Sequence, residues 1–286
     1  MMRRLEAMFV WYGLTIAVLI LLFGQALEAR WAWLVAHVAI IVPATMLSRW
    51  GRLGPRLVAA CVLTPAAFST LGLILPDLVP EPVHWDVSRF DTQLGGAWVR
   101  ELFSQPWMVT VEISQLAYAT FYFLPIGLGI ALLLQGRKGA ALQVAEVAVG
   151  GLLLSYLGYL VLPTLPPYRF LAYEHPLVGG PTFDWVHRLL FDLEALREDC
   201  MPSGHTMVTI LVLMCAWRFD KRQWIWLMPL AVPLVVATVA LRYHWWADLV
   251  AAVPFALLAR SLFWREVVEE RGGAERRRAS KIVPSR

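Results

Sequence analysis

From Met8 to Leu27 the chain reads "MFVWYGLTIAVLILLFGQAL", twenty residues without a charge. No other feature limits the fold as tightly. In hydrocarbon every backbone N–H and C=O must be paired within the segment, so such a run folds as a helix. Its length matches the ~20 residues that cross an apolar core of about 30 Å. Trp11 and Tyr12 stand near one end, where amphipathic rings anchor a helix among headgroups. The run is too long for the apolar core of a signal peptide, and no small-residue cleavage site follows it. It reads as a first membrane span.

Similar runs recur at 31–48, 57–75, 107–134, 140–162, 201–217, 223–242 and 244–264, giving eight predicted spans. Pro43, Pro65, Pro125, Pro229, Pro233 and Pro254 fall inside them, as neighbouring membrane helices allow. With 59% hydrophobic and 16% charged residues, the composition excludes an ordinary soluble domain. The predicted fold class is all-α: a polytopic membrane helix bundle. Cys61, Cys200 and Cys215 are too few and too scattered for a disulfide framework or a thiolate metal site.

The net charge of +4 reflects where the arginines lie, and no nucleic-acid partner is expected. Eighteen of the 25 basic residues fall in the segments around 3–4, 49–56, 137–138 and 218–222 and in the tail from Arg260. Seven fall on the opposite side, although its loops are longer. The positive-inside rule therefore puts both termini in the cytoplasm. Three lysines against 22 arginines suggest a GC-rich bacterial genome, hence an inner (cell) membrane. Two long segments, 76–106 and 163–200, would face outward, and Val87–Phe103 is expected to lie on that surface as one amphipathic helix. The charged tail 265–286 lacks aromatics and is expected to be disordered and cytoplasmic.

Chemistry concentrates at two places. "CMPSGHT", Cys200–Thr206, opens the sixth span. Pro202 suits a first helical turn, Ser203 and Gly204 permit close approach, and a helix N-terminus favours a phosphate. His205 stands beside that cradle. "LRYHWWADLV", Leu241–Val250, opens the eighth span with His244 and Asp248 four residues apart, on one face of a helix. A carboxylate there needs a partner. An Asp on one imidazole nitrogen fixes the tautomer and frees the other. Both motifs begin at the same face, so two imidazoles and a carboxylate share one depth. Arg242 accompanies them. "LPTLPPYRF" in the preceding loop brings Pro166, Pro167, Tyr168 and Arg169. Either arginine could fork phosphate oxygens.

"PSGH" followed some forty residues later by "HxxxD" resembles the type-2 phosphatidic acid phosphatase superfamily, which has a six-helix core. "PTLPPY", in place of that superfamily's Lys-x6-Arg-Pro element, looks like the inositol phosphorylceramide synthase branch, the inositolphosphotransferases. The resemblance implies two added helices over 1–56 and a phosphatase or phosphotransferase core over 57–264. It implies His244 as nucleophile, Asp248 as its orienting partner, and His205 as general acid and then base. Ser203 and the amides near Gly204 would hold phosphoryl oxygens, with Arg242 or Arg169 replacing the absent basic element. No metal or cofactor is implied. The expected substrate is a phospholipid or polyprenyl phosphate, and the acceptor a lipid alcohol or water. Outside this class stand a zinc hydrolase with His205, His244 and Asp248 as ligands, a serine protease on Ser203, and a non-catalytic transporter or scaffold.

Overall fold

The computed structural model describes residues 3–25, 28–50, 52–78, 84–193 and 199–267. The tail expected over 265–286 lies outside them from residue 268 onward. Among the described residues the chain is all helical: α1 (Arg4–Phe23), α2 (Arg30–Trp50), α3 (Leu53–Leu78), α4 (His84–Gln93), α5 (Gly96–Leu102), α6 (Met108–Ala119), α7 (Phe123–Leu134), α8 (Lys138–Val161), α9 (Pro167–Phe170), α10 (Pro181–Leu193), α11 (Gly204–Phe219), α12 (Lys221–Ala240) and α13 (Trp246–Phe263). A 3₁₀ turn at Thr120–Tyr122 joins α6 to α7 into one 27-residue rod. The one strand-like pairing among the described residues is an isolated bridge between Thr164 and Asp199.

Among the described residues, seven helices have the length and hydropathy to cross a membrane: α1, α2, α3, α6 with α7, α8, α12 and α13. The chain is a polytopic helix bundle. The remaining predicted span corresponds to α11, which has only 16 residues. At ~1.5 Å per residue it is about 24 Å long, short of the ~30 Å apolar core. Its first turn carries His205.

Two clusters of buried side chains hold the bundle. One packs α7, α8, α11, α12 and α13 through Leu128, Leu132, Val144, Met207, Leu211 and Leu234. Ala252, Ala256 and Ala259 form a fully buried small-residue stripe on α13. Lipid is as apolar as leucine, so helices associate by close packing, which such stripes permit. The other cluster seats α1 and α3 on α8 through Phe9, Ile16, Leu71, Leu75 and Tyr156. Trp11, Val35, Val62, Phe123 and Trp226 point outward, as suits a lipid-facing surface.

Chain direction brings the starts of α6, α11 and α13 and the ends of α8 and α12 to one end of the bundle. The amphipathic stretch expected as one helix over 87–103 is two. Gly95 takes φ +89°, a left-handed conformation that glycine adopts without steric cost, and it breaks the stretch into α4 and α5.

Candidate active site

The site is built where α11 and α13 begin. Ser203 is the N-cap of α11; its Oγ accepts from the Thr206 N–H at 3.2 Å. Its backbone N–H donates to the Asp248 carbonyl at 3.1 Å, which ties the two helix starts together. At Gly204 an added Cβ would lie 2.9 Å from the Tyr159 hydroxyl and 3.2 Å from Ser155 Oγ. Glycine there lets α11 sit directly on α8.

His244 lies in the turn between α12 and α13, not on α13 as the i, i+4 spacing predicted. The geometry that replaces a shared helical face is a cap. Asp248, fully buried in the first turn of α13, accepts from the Trp245 N–H through Oδ2 at 2.7 Å. The same oxygen faces His244 Nδ1 at 3.3 Å. His244 Nε2 then stands 3.5 Å from His205 Nδ1. Carboxylate, imidazole and imidazole form one line. His205 is held flat between Tyr118 (centroids 4.4 Å, 30° between planes) and Phe121 (4.2 Å, 44°).

The backbone at Arg242 adopts φ +63°, turning the chain from α12 into the His244 turn. The Tyr168 N–H donates to the Arg242 carbonyl at 3.2 Å, and Trp245 Nε1 donates to the Leu165 carbonyl at 2.8 Å. Pro166 and Pro167 are buried behind these bonds. The Pro-Pro-Tyr element thus braces the His244 turn.

A narrow cavity of ≈ 10 Å³, room for about one water, opens beside His244. Its walls include Arg100, Arg242, Tyr173, Pro167 and Trp246. The Arg242 guanidinium lies 3.7 Å from the Tyr173 ring centroid, and its Nε is buried without a hydrogen-bond partner among the described residues. Burial lowers the Arg242 pKa, although the Tyr173 hydroxyl opposes that. Arg169 is exposed on α9 and does not line this cavity.

Arg100, counted in the sequence only as an outward-facing charge, is the second cation at the cavity. It pairs with Asp91 and reaches over the Trp245 ring, 5.7 Å from its centroid. Asp91 is fully buried and accepts from the Ala247 N–H at 2.9 Å, a second carboxylate at the start of α13. Burial raises the Asp91 pKa, and that amide and Arg100 counter the rise.

A supporting layer lies behind the histidines. The Tyr243 hydroxyl donates to Gln115 Oε1 at 2.8 Å and meets His187 Nδ1 at 2.7 Å. Glu112 Oε1 accepts from the Phe183 N–H at 3.0 Å, holding the start of α10 on α6. Gln115, fully buried on α6, keeps its Nε2 without a hydrogen-bond partner among the described residues. His187 is on α10.

Among sequences, the model of the PAP2 superfamily matches residues 85–262, from α4 almost to the end of α13. No curated protein and no solved structure matches the chain. The family match covers more than half of the chain, including both histidine motifs and the helices that carry them, so the chain belongs to the PAP2 superfamily, a family of phosphatases and phosphotransferases acting on lipid phosphates.

Proposed function

We propose that this protein cleaves a lipid phosphate ester through a phosphohistidine at His244 and passes the phosphoryl or phosphoryl-headgroup unit to a lipid alcohol or to water. The observation that carries the reading is the Asp248–His244–His205 line beside a cavity bearing Arg100 and Arg242. Asp248 holds the proton on Nδ1 and leaves a lone pair on Nε2. That lone pair attacks phosphorus as the P–O bond to the leaving oxygen breaks, and the Asp248 carboxylate balances the cationic ring. His205 protonates the leaving oxygen. In the second step it takes a proton from the incoming hydroxyl, whose oxygen displaces His244.

Arg100 and Arg242 offer the phosphoryl oxygens two fixed guanidinium groups, a role the sequence assigned to Arg242 or Arg169. Ser203, whose Oγ accepts from Thr206, still has its own hydroxyl proton to donate. Fixed donors of this kind stabilise charge that develops in the transition state. No step in this scheme needs a metal or an organic cofactor. The distribution of basic residues supports a site on the outer face of the cell membrane with both termini inside. The "PTLPPY" element supports the inositolphosphotransferase-like branch and a lipid alcohol acceptor. We extend the catalytic core from 57 to 264 and treat the helices before it as an addition.

The test is purified protein in liposomes containing phosphatidic acid, undecaprenyl diphosphate, or phosphatidylinositol with ceramide. Mass spectrometry then separates released phosphate from a transferred headgroup. Product formation that disappears in His244→Ala supports the reading. Conversion that persists in His244→Ala overturns it, and absence of any conversion by the wild type favours a transporter or scaffold.

A further inference from the structure

Overlapping the phosphoryl site is a donor set of which the proposed reaction leaves one member, Cys200, without a role. Donor atoms of Cys200, His244 and Asp248 lie within 4.8 Å of one another, and all three residues are buried. Cys200 Sγ faces the Tyr243 carbonyl at 3.5 Å. A second observation points to a missing positive partner. Asp248 Oδ1 is fully buried and has no hydrogen-bond partner among the described residues, although Oδ2 of the same carboxylate is engaged twice.

We propose that Cys200, His244 and Asp248 form an inhibitory site for a soft divalent cation of the zinc type. One thiolate, one imidazole and one carboxylate are a ligand set zinc accepts, with a fourth position left open. Charge balance favours it in this surrounding: a dication, a thiolate and a carboxylate sum to zero. In a tetrahedral site, bonds of about 2.0–2.3 Å place donor atoms about 3.3–3.8 Å apart. The 3.3 Å between His244 Nδ1 and Asp248 Oδ2 already fits, and the unpartnered Oδ1 is the second oxygen of the same carboxylate. The widest separation needs to close by only about 1 Å. The ion would arrive by the cavity that His244 borders.

The consequence for catalysis follows from the tautomer and rests on the role proposed for His244. Nδ1 is the ring nitrogen that faces Asp248. An ion bound there displaces the Nδ1 proton, which in a neutral ring must move to Nε2. The lone pair that would attack phosphorus is then lost. Binding also releases the Cys200 thiol proton to solvent.

The experiment uses the full-length protein in detergent, with cobalt(II) and zinc(II) chlorides as probes. Wild type is expected to develop a thiolate-to-cobalt absorption band that zinc abolishes. Cys200→Ala and Cys200→Ser are expected to lose the band, and a Cys61→Ala/Cys215→Ala double variant to keep it. Zinc is expected to inhibit lipid-phosphate turnover in wild type and to require at least tenfold more ion in Cys200→Ala, whose turnover without added metal stays at the wild-type level. No band in wild type, or a band that survives in both Cys200 variants, overturns the site. Equal zinc sensitivity in wild type and Cys200→Ala overturns its inhibitory role. Should the protein convert none of the lipid phosphates, the functional proposal fails while the cobalt band still decides the site.

Discussion

At the residue scale, the two carboxylate contacts of Asp248 are different services. One orients His244 and the other caps α13. Asp248→Asn keeps an acceptor for the Trp245 amide but no longer stabilises a cationic ring. Turnover is expected to fall by about 10²–10⁴, the range typical of removed acid–base support, with a small change in thermal midpoint. Steady-state kinetics beside a melting curve separates the two effects. The arginines divide likewise. Arg100→Ala and Arg242→Ala are expected to raise KM or lower kcat/KM by about tenfold or more, and Arg169→Ala to leave both near wild type. An Arg169→Ala loss equal to that of Arg242→Ala would contradict this assignment. The sequence made the His205, His244 and Asp248 cluster legible because spacing and span direction put three polar groups at one depth. Arg100 was not legible: it reaches the cavity from α5, a helix 142 positions before Arg242, and nothing local marks it. The turn conformation of His244 was hidden too, because a cap and a helical i, i+4 pair have the same spacing.

At the element scale, hydrophobic run length revealed the helices well, since backbone pairing in lipid leaves helix as the outcome. For α11 the run at 201–217 was itself short, and the helix lies two to three residues later because Ser203 caps it. Gly95 was visible, but whether a glycine breaks an amphipathic stretch depends on its φ, a property of the fold. The seating of α11 on α8 gives a clear test. Gly204→Ala places a methyl 2.9 Å from the Tyr159 hydroxyl. Overpacking of this kind costs about 1–3 kcal/mol. A lower thermal midpoint and reduced turnover are expected, with partial recovery in Gly204→Ala/Tyr159→Phe. A Gly204→Ala protein as stable and active as wild type would show that α11 does not depend on this close approach.

At the scale of the whole molecule, ion pairs at the end opposite the histidines join α1 to α3 and the segment after α13 to α8. Glu6 on α1 and Arg56 on α3 are both buried and paired, with Arg56 Nη2 donating to Glu6 Oε2 at 3.0 Å. Arg265 reaches Glu146 on α8 at 3.1 Å, and its backbone N–H donates to Gln143 Oε1 at 2.9 Å. Removing one member of a buried pair strands the other charge, at a typical cost of 3–5 kcal/mol. Glu6→Ala is therefore expected to destabilise the bundle strongly, and Glu6→Leu/Arg56→Leu to restore most of the loss, as judged by denaturant titration in detergent. Equal stability of wild type and Glu6→Ala would mean that α1 is not held by this pair. None of these changes touches the histidines, so turnover per folded molecule should be unaltered.

The most direct measurement concerns a covalent bond. A lipid phosphate carrying labelled phosphorus is mixed with the protein in liposomes, and the reaction is quenched in alkali, in which phosphohistidine survives. Digestion and tandem mass spectrometry then locate the label. Catalysis through His244 predicts a modified peptide bearing the phosphoryl or phosphoryl-headgroup unit on His244, acid-labile, absent in His244→Ala and accumulating in His205→Ala if that variant slows the second step more than the first. Turnover by the wild type with no label on His244, or sustained turnover by His244→Ala, would contradict it.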